Sequence, residues 1–305
     1  MKILKKIHLV FMAAVLLCMA CDDEIVEPTP VVSDSTTGTT TTTSTVATIN
    51  GLPIDYGGTH NPYVLGSTAA KYGYYLYRPG GYSTSSAKYP LLIFLHGQAE
   101  RGNGTNSLAI LNKVLVTGIP KLIKDKKWNP KNPMLVVSPQ YYGTTGVLTS
   151  WGGGKPTALK EFIEYMISHY RVDPKRIYLT GLSYGGNGIW DYLAQQDDAT
   201  SYIAAAAPIA AWGAKYGYAK CKNTPIWSFV GENDVNNFKA TVKFVNNYNA
   251  QIPAPKYKAK ISSYKNVGHN AWTRTYDGTG MGTANPLYSP FNMSLYDWMY
   301  QYKRP

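Results

Sequence analysis

The feature that most constrains this chain is the hexapeptide Gly181-Leu182-Ser183-Tyr184-Gly185-Gly186. It follows an apolar run at residues 176–180 and precedes a segment with a helical period of apolar residues, which includes Ile189 and Leu193. A strand, a sharp turn at G-x-S-x-G and a helix form a nucleophile elbow, whose glycines let strand and helix pack closely around the serine. The pattern predicts that Ser183 is a nucleophile at a helix N-terminus; the alternative is a tight glycine turn with an ordinary surface serine.

The candidate base for this serine is His269. A serine hydroxyl is a weak nucleophile until a base takes its proton, and an acid must orient that base. The chain has five histidines, and His269 is the one that follows the elbow, in a loop with Gly268 after a strand predicted at residues 260–264. The order serine, acid, histidine therefore favours His269 as the base. The alternative is a histidine on a surface loop.

The acid is expected after the next-to-last strand. Residues 225–230 predict that strand, and Gly231-Glu232-Asn233-Asp234 ends it. Hydrolases with a nucleophile elbow commonly carry the acid three residues after such a glycine, which favours Asp234. Glu232 competes with it, and Asp277 is a more distant candidate. The alternative interpretation of Asp234 is the N-cap of the helix predicted next.

Two backbone N–H groups are needed to stabilise an oxyanion. One is expected from Tyr184, directly after the nucleophile, and the other from the loop after an earlier core strand. Residues 90–95 are an apolar strand, and the loop that follows offers Gln98 as the second donor, with Gly97 as the alternative. His96 is expected to form hydrogen bonds inside this loop rather than to transfer protons.

Four segments together resemble a known family. They are Leu95-His96-Gly97-Gln98-Ala99-Glu100-Arg101-Gly102, the elbow, Gly231-Glu232-Asn233-Asp234 and Gly268-His269-Asn270-Ala271-Trp272. They resemble α/β-hydrolases of the "predicted peptidase"/esterase type, a group similar to poly(hydroxybutyrate) depolymerases and to feruloyl and acetylxylan esterases. The resemblance spans residue 72 to the C-terminus and implies a serine esterase without cofactor or metal. One departure is Val235-Asn236-Asn237, where relatives often carry Val-Pro.

The N-terminus resembles a bacterial lipoprotein signal at residues 1–20. Three lysines among residues 2–6 precede an apolar stretch at residues 7–20, which is short for a membrane span. Ala20 then precedes Cys21, the predicted lipidation site, and an acidic run follows at residues 22–24. These features predict an exported protein with a lipid anchor, at the outer membrane or cell surface or in the periplasm. Ordinary secretion and an uncleaved membrane anchor are the alternatives.

Residues 21–48 are predicted to be a flexible linker, because a segment rich in Thr and Ser cannot bury a core. Residues 49–305 are long enough for one α/β catalytic domain. Strands are predicted at residues 74–77, 91–95, 134–138, 177–180, 203–207, 226–230 and 260–264. Helices are predicted at residues 107–117, 157–170, 184–195, 238–248 and 293–301. Apolar strands that alternate with helices predict the doubly covered, mostly parallel sheet of the α/β-hydrolase fold.

Charge and aromatic content bear on the ligand. The formal net charge is +12, and the chain has 26 Tyr and 7 Trp against 7 Phe. A basic exported domain suits acidic polysaccharide, with plain solubilising charge as the alternative, and without a nucleic-acid-binding module a nucleic-acid partner is not expected. Amphipathic rings suit the stacking of a sugar or a phenol in a wet cleft. Candidate substrate contacts near the carboxyl ends of the strands are Trp151, Trp212, Trp272 and Arg101.

The sequence therefore predicts an exported serine esterase that acts on carboxylic esters, with acyl or feruloyl esters of polysaccharide as the preferred substrate class. The catalytic residues are Ser183, Asp234 and His269. A polyester depolymerase or a serine peptidase with the same triad is the first alternative. The second is an inactive hydrolase fold that binds glycans. The oligomeric state is left open.

Overall fold

The computed structural model describes residues 47–143, 151, 157–214 and 217–305. The predicted signal segment, Cys21 and nearly all of the predicted linker lie outside these residues. Within them, no helix is both long enough and apolar enough to cross a membrane.

An eight-stranded sheet forms the centre of the domain, with strand order β10-β9-β8-β7-β5-β6-β4-β3. The six strands from β10 to β6 are parallel, whereas β4 pairs antiparallel with β6 and with β3. The strands are β3 (Thr59–Tyr63), β4 (Gly73–Arg78), β5 (Tyr89–Leu95), β6 (Leu135–Gln140), β7 (Val172–Leu182), β8 (Ile203–Ile209), β9 (Trp227–Gly231) and β10 (Lys260–Tyr264). A separate hairpin joins β1 (Thr48–Ile49) and β2 (Leu52–Pro53).

Helices cover both faces of this sheet. They are α1 (Leu108–Leu111), α2 (Gly118–Lys124), α3 (Thr157–His169), α4 (Tyr184–Gln195), α5 (Val235–Asn249), α6 (Trp272–Tyr276) and α7 (Leu295–Tyr300). Side chains alternate between faces along a strand. Leu91 and Ile93 of β5 accordingly pack in the cluster with α3, α4 and α5, whereas Leu92 and Phe94 pack in the cluster with α2, α6 and α7. All seven residues of β5 are buried, because both of its faces are covered.

The predicted doubly covered, mostly parallel sheet is confirmed, and all seven predicted strands are present. The differences lie where the local pattern is weak. Strand β3, with the sequence THNPY, is polar and carries a proline. It forms because its backbone pairs antiparallel with β4 at the edge of the sheet. The helix predicted at residues 107–117 divides into α1 and a 3₁₀ turn at Asn112–Val116.

Candidate active site

The turn between β7 and α4 holds Ser183 in a strained backbone conformation. Ser183 has φ 52° and ψ −115°, a left-handed region that a serine rarely adopts. A Cβ on Gly185 would lie 2.0 Å from the Leu95 carbonyl oxygen, and one on Gly181 would lie 2.6 Å from the same atom. These two positions therefore require glycine, because β5 passes directly against the turn. The glycines of the hexapeptide have the packing role expected of a nucleophile elbow.

A continuous hydrogen-bonded chain joins Ser183, His269 and Asp234. His269 Nε2 lies 2.9 Å from Ser183 Oγ, and His269 Nδ1 lies 2.6 Å from Asp234 Oδ2. A carboxylate only accepts, so Nδ1 carries the proton and Nε2 is left to accept from the serine hydroxyl. The structure thus brings together the three residues that the sequence analysis selected, in the geometry of a serine–histidine–aspartate triad. The His269 side chain is 43% exposed, so the triad is open to solvent.

Asp234 precedes α5 at the N-cap position, yet its side chain makes no capping hydrogen bond. The carboxylate turns to His269 instead and also accepts a hydrogen bond of 2.8 Å from Asn237 Nδ2. The N-terminus of α5 favours a negative charge at this place. Asn237 is a site residue that the sequence analysis did not single out as functional. Its position one helical turn after the acid is the signal that indicates it.

The two competing acids have other partners. Glu232 Oε1 accepts hydrogen bonds from Ser263 Oγ at 2.7 Å and from Asn285 Nδ2 at 2.6 Å, which tie β9 to β10 and to the loop after α6. Asp277 Oδ1 accepts from the backbone N–H of Thr279 at 2.9 Å. The geometry therefore favours Asp234 as the partner of the histidine.

The two proposed oxyanion donors each begin a helical segment. Tyr184 is the first residue of α4, and Gln98 is the first residue of a 3₁₀ turn at Gln98–Glu100. N–H groups at such positions have no intrahelical acceptor. Burial raises the pKa of Glu100, and the nearby backbone N–H groups of Glu100 and Gly97 partly offset this. Because the Gly97 N–H faces the Glu100 carboxylate, Gln98 is the better candidate for the second donor.

His96 stabilises this loop through hydrogen bonds of its ring nitrogens. Its Nδ1 donates to the Gly97 carbonyl at 2.6 Å, and its Nε2 accepts from the Tyr141 backbone N–H at 3.0 Å. The ring is fully buried, and burial lowers the pKa of His96 to about 4. His96 is therefore neutral near pH 7 and holds the loop, as the sequence analysis expected.

Because His96 is buried in its neutral form, we expect the folded protein to lose stability in acid. Between about pH 6.5, the pKa of an unfolded histidine, and pH 4, the unfolded chain binds a proton that the folded chain excludes. The free energy of unfolding should therefore be undiminished above pH 6.5 and fall as the pH decreases to 4, by about 3 kcal/mol for this residue alone. Urea denaturation of the wild type and of His96→Gln at several pH values measures this slope. The variant should be less stable at pH 7 but show a shallower decline; an equal decline would contradict the prediction.

The four predicted substrate contacts differ in their surroundings. Trp151 does not fit the prediction of a substrate contact, because its side chain is 1% exposed. Its indole N–H donates to the His96 carbonyl at 3.2 Å, and its ring packs against Gly188 of α4. Trp151 is buried because Gly188, which has no side chain, leaves room for the indole ring. This contact between distant residues cannot be read from the sequence.

The other three candidates are exposed or half-buried and lie on segments next to the triad or to the proposed oxyanion donors. Trp272 stacks edge-to-face on His269 with a centroid distance of 5.2 Å. Trp212 is 48% exposed, and its backbone N–H binds Asn187 Oδ1, one helical turn after Ser183. Arg101 Nε donates to the Gln98 carbonyl at 3.2 Å, beside the proposed oxyanion donor. Among the described residues, no group of three His, Cys, Asp or Glu side chains could hold a metal ion.

Comparison with known proteins agrees with the α/β-hydrolase fold, which is the class that the sheet and the elbow define. A family model for the prolyl oligopeptidase family matches residues 144–274. A curated relative, a bifunctional acetylxylan esterase/xylanase of Neocallimastix patriciarum, is 30% identical over 200 residues. The match covers 63% of this chain and 26% of that protein, so the chain spans about a quarter of its relative's length.

Two solved structures share the fold. A thermostable esterase superposes with a TM-score of 0.53 at 22% identity, covering 82% of this chain and 64% of that one. A mutant of the feruloyl esterase module from Clostridium thermocellum, complexed with sinapinate, gives a TM-score of 0.51 at 13% identity. That match covers 73% of this chain and 85% of the module. At such identities the likeness concerns the fold, and the predicted α/β-hydrolase fold is confirmed.

Proposed function

We propose that this protein is a serine hydrolase that cleaves carboxylic esters. The observation that carries the proposal is the hydrogen-bonded chain from Ser183 Oγ through His269 to Asp234, at distances of 2.9 and 2.6 Å. The positive φ of Ser183 at the start of α4 adds to it, because the strained turn exposes the hydroxyl. An isolated surface serine has no reason to carry both features.

In the proposed mechanism Ser183 Oγ attacks the ester carbonyl carbon while His269 Nε2 takes the hydroxyl proton. The N–H groups of Gln98 and Tyr184 stabilise the oxyanion. The bond to the alcohol oxygen then breaks, and His269 returns the proton to the departing alcohol. Water, deprotonated by His269, attacks the acyl-enzyme and releases the acid and the free serine. Asp234 holds the Nδ1–H tautomer and stabilises the imidazolium that forms in each half-reaction.

The substrate class that we propose is acyl or feruloyl esters of polysaccharide. The names of the relatives support it, since one is an acetylxylan esterase/xylanase and another a feruloyl esterase module. The exposed Trp212 and the half-buried Trp272, which packs on His269, also support it, because indole rings can stack on a sugar or a phenol.

A serine peptidase is the second candidate, and the observation that favours it is the match to the prolyl oligopeptidase family model. A panel of substrates separates the two: p-nitrophenyl acetate, methyl ferulate, acetylated xylan, a hydroxybutyrate polymer and aminoacyl peptides. The proposal requires kcat/KM for an ester of the first three kinds to exceed that for the peptides. Preference for peptides would replace the esterase proposal, whereas preference for the polymer would replace only the proposed substrate class. Failure of a fluorophosphonate to label Ser183 would instead indicate an inactive fold.

We also propose that Cys21 carries a lipid that anchors the protein after export. The support is the order of basic, apolar and small residues before Cys21 and the acidic run after it. The Thr- and Ser-rich segment that follows would tether the domain at a distance from the membrane.

Replacement of the lipidation site tests the anchor. Cys21→Ser, expressed in a bacterial host with its own signal segment, should move from the membrane fraction to the soluble fraction. Each buried CH₂ of an acyl chain contributes about 0.8 kcal/mol to membrane affinity, so losing two or three chains removes firm binding. Ester hydrolysis should be unchanged. A Cys21→Ser protein that still fractionates with membranes would show that the anchor lies elsewhere, and Cys221→Ser serves as the control.

A further inference from the structure

A groove of about 830 Å³ lies at the antiparallel edge of the sheet, and no triad residue lines it. Its lining comes from the chain before and within β3 (residues 55–60), from β4, and from the segment that contains α2 (residues 115–129). We name it the edge groove. Its volume falls within the range of about 300–1,000 Å³ that is typical of ligand sites in proteins.

Aromatic rings form part of the lining of the edge groove, and those of Tyr75 and Tyr77 are largely buried beneath its surface. Tyr56, Tyr75, Tyr77 and Trp128 all contribute to it. The hydroxyl of Tyr75 donates to Asn112 Oδ1 at 2.5 Å and that of Tyr77 to Asp55 Oδ2 at 2.7 Å, so these rings are fixed in place. Tyr56 is 82% exposed. The exposed phenol ring of Tyr56 has an apolar face on which a sugar ring can stack.

The charge of the edge groove is positive. Lys124 and Lys126 line it and are exposed. Residues 113–131 contain six lysines and one acid, Asp125, which pairs with Lys121. The acid that lines the groove, Asp55, already accepts from the Tyr77 hydroxyl and from the backbone N–H groups of Gly57 and Gly80. Asp125 also interacts with Lys124, but the lysines of this segment outnumber the acid, so the surface attracts a negatively charged ligand.

We propose that the edge groove binds an acidic polysaccharide. Its uronate carboxylates would pair with Lys124 and Lys126, and one of its sugar rings would stack on Tyr56, the exposed ring of the groove. Rings combined with lysines fit a ligand that is both a sugar and an acid, whereas an uncharged glycan would leave the lysines without a role. A second contact of this kind would keep the polymer close to the triad and raise the effective concentration of its esters. The choice of carbohydrate over other polyanions rests on the proposed function.

Binding to polygalacturonate, measured by affinity gel electrophoresis and calorimetry at low salt, tests this proposal. Tyr56→Ala should weaken binding about tenfold, which corresponds to about 1.4 kcal/mol, while Tyr56→Phe should bind as the wild type does. The double variant Lys124→Gln/Lys126→Gln should also lose about tenfold, and the loss should shrink as salt screens the lysines. Lys243→Gln/Lys258→Gln removes the same charge from exposed positions outside the groove and should leave binding unchanged.

Three outcomes would overturn the proposal. The first is wild-type binding by Tyr56→Ala. The second is equal loss in both double lysine variants, which would indicate net charge alone. The third is double-stranded DNA that binds as tightly as polygalacturonate with the same dependence on Tyr56. Hydrolysis of p-nitrophenyl acetate separates the two proposals, since it should be unaffected in every groove variant. Loss of binding with normal hydrolysis supports the groove, whereas a wild type that binds but hydrolyses no ester refutes only the esterase proposal.

Discussion

Ser183→Ala is expected to abolish ester hydrolysis while the protein remains folded. The methyl group of alanine cannot attack a carbonyl carbon, and the remaining oxyanion donors give only a small acceleration. Removal of the nucleophile of a triad typically lowers kcat by about 10⁶-fold. Initial rates with p-nitrophenyl acetate measure the loss, and fluorophosphonate labelling should disappear with it.

The fold of this variant can be checked independently. Within the part of the chain that the structure describes, the Ser183 side chain binds only His269, whereas the backbone N–H of Ser183 donates to the Ile209 carbonyl at 2.8 Å and is retained in the variant. The substitution should also leave the backbone strain at residue 183 unchanged, because alanine carries a Cβ as serine does and keeps the same positive φ. Near-wild-type circular dichroism and urea midpoint are therefore expected. Residual activity close to that of the wild type would rule out Ser183 as the nucleophile.

Asp234→Asn should lower kcat by about 10⁴-fold, with KM little changed. An asparagine amide can donate to His269 Nδ1, which would place the imidazole proton on Nε2. That tautomer cannot accept the proton of Ser183 Oγ, which lies 2.9 Å away. The effect should be independent of folding, since Asp234 makes no capping bond whose loss would weaken α5.

Glu232→Gln provides the matched control for this prediction. It makes the same acid-to-amide change two residues away, at a side chain that binds Ser263 and Asn285. The glutamine oxygen can still accept from both partners, so kcat should change by less than about tenfold, while any loss should appear in stability. A larger kinetic loss in Glu232→Gln than in Asp234→Asn would reverse the assignment of the acid.

The elbow, the central strands and the identity of the base are decided by short stretches of sequence. Residues 91–95 are a short, entirely apolar run, a pattern that is typical of a buried strand. The buried strand β5 contains them. The glycines around Ser183 indicate their own role, because a Cβ at Gly185 would lie only 2.0 Å from the Leu95 carbonyl oxygen of β5. A single histidine after the elbow leaves little choice of base. In each case the deciding residues are neighbours in sequence or few in number.

Tertiary structure decided what depends on contacts between distant segments. Asp234 and Glu232 are two residues apart and chemically alike, and only the position of the His269 loop against β9 distinguishes them. Trp151 is predicted from the sequence to contact substrate but lies in the core, because Gly188 on another element leaves room for its ring. The edge groove likewise has no sequence signature: Tyr56, Tyr77 and Lys124 come together because β4 pairs with β3 and α2 packs across the same face. Local periodicity specifies which face of a strand or helix is buried, but the partner on that face is set by packing between elements.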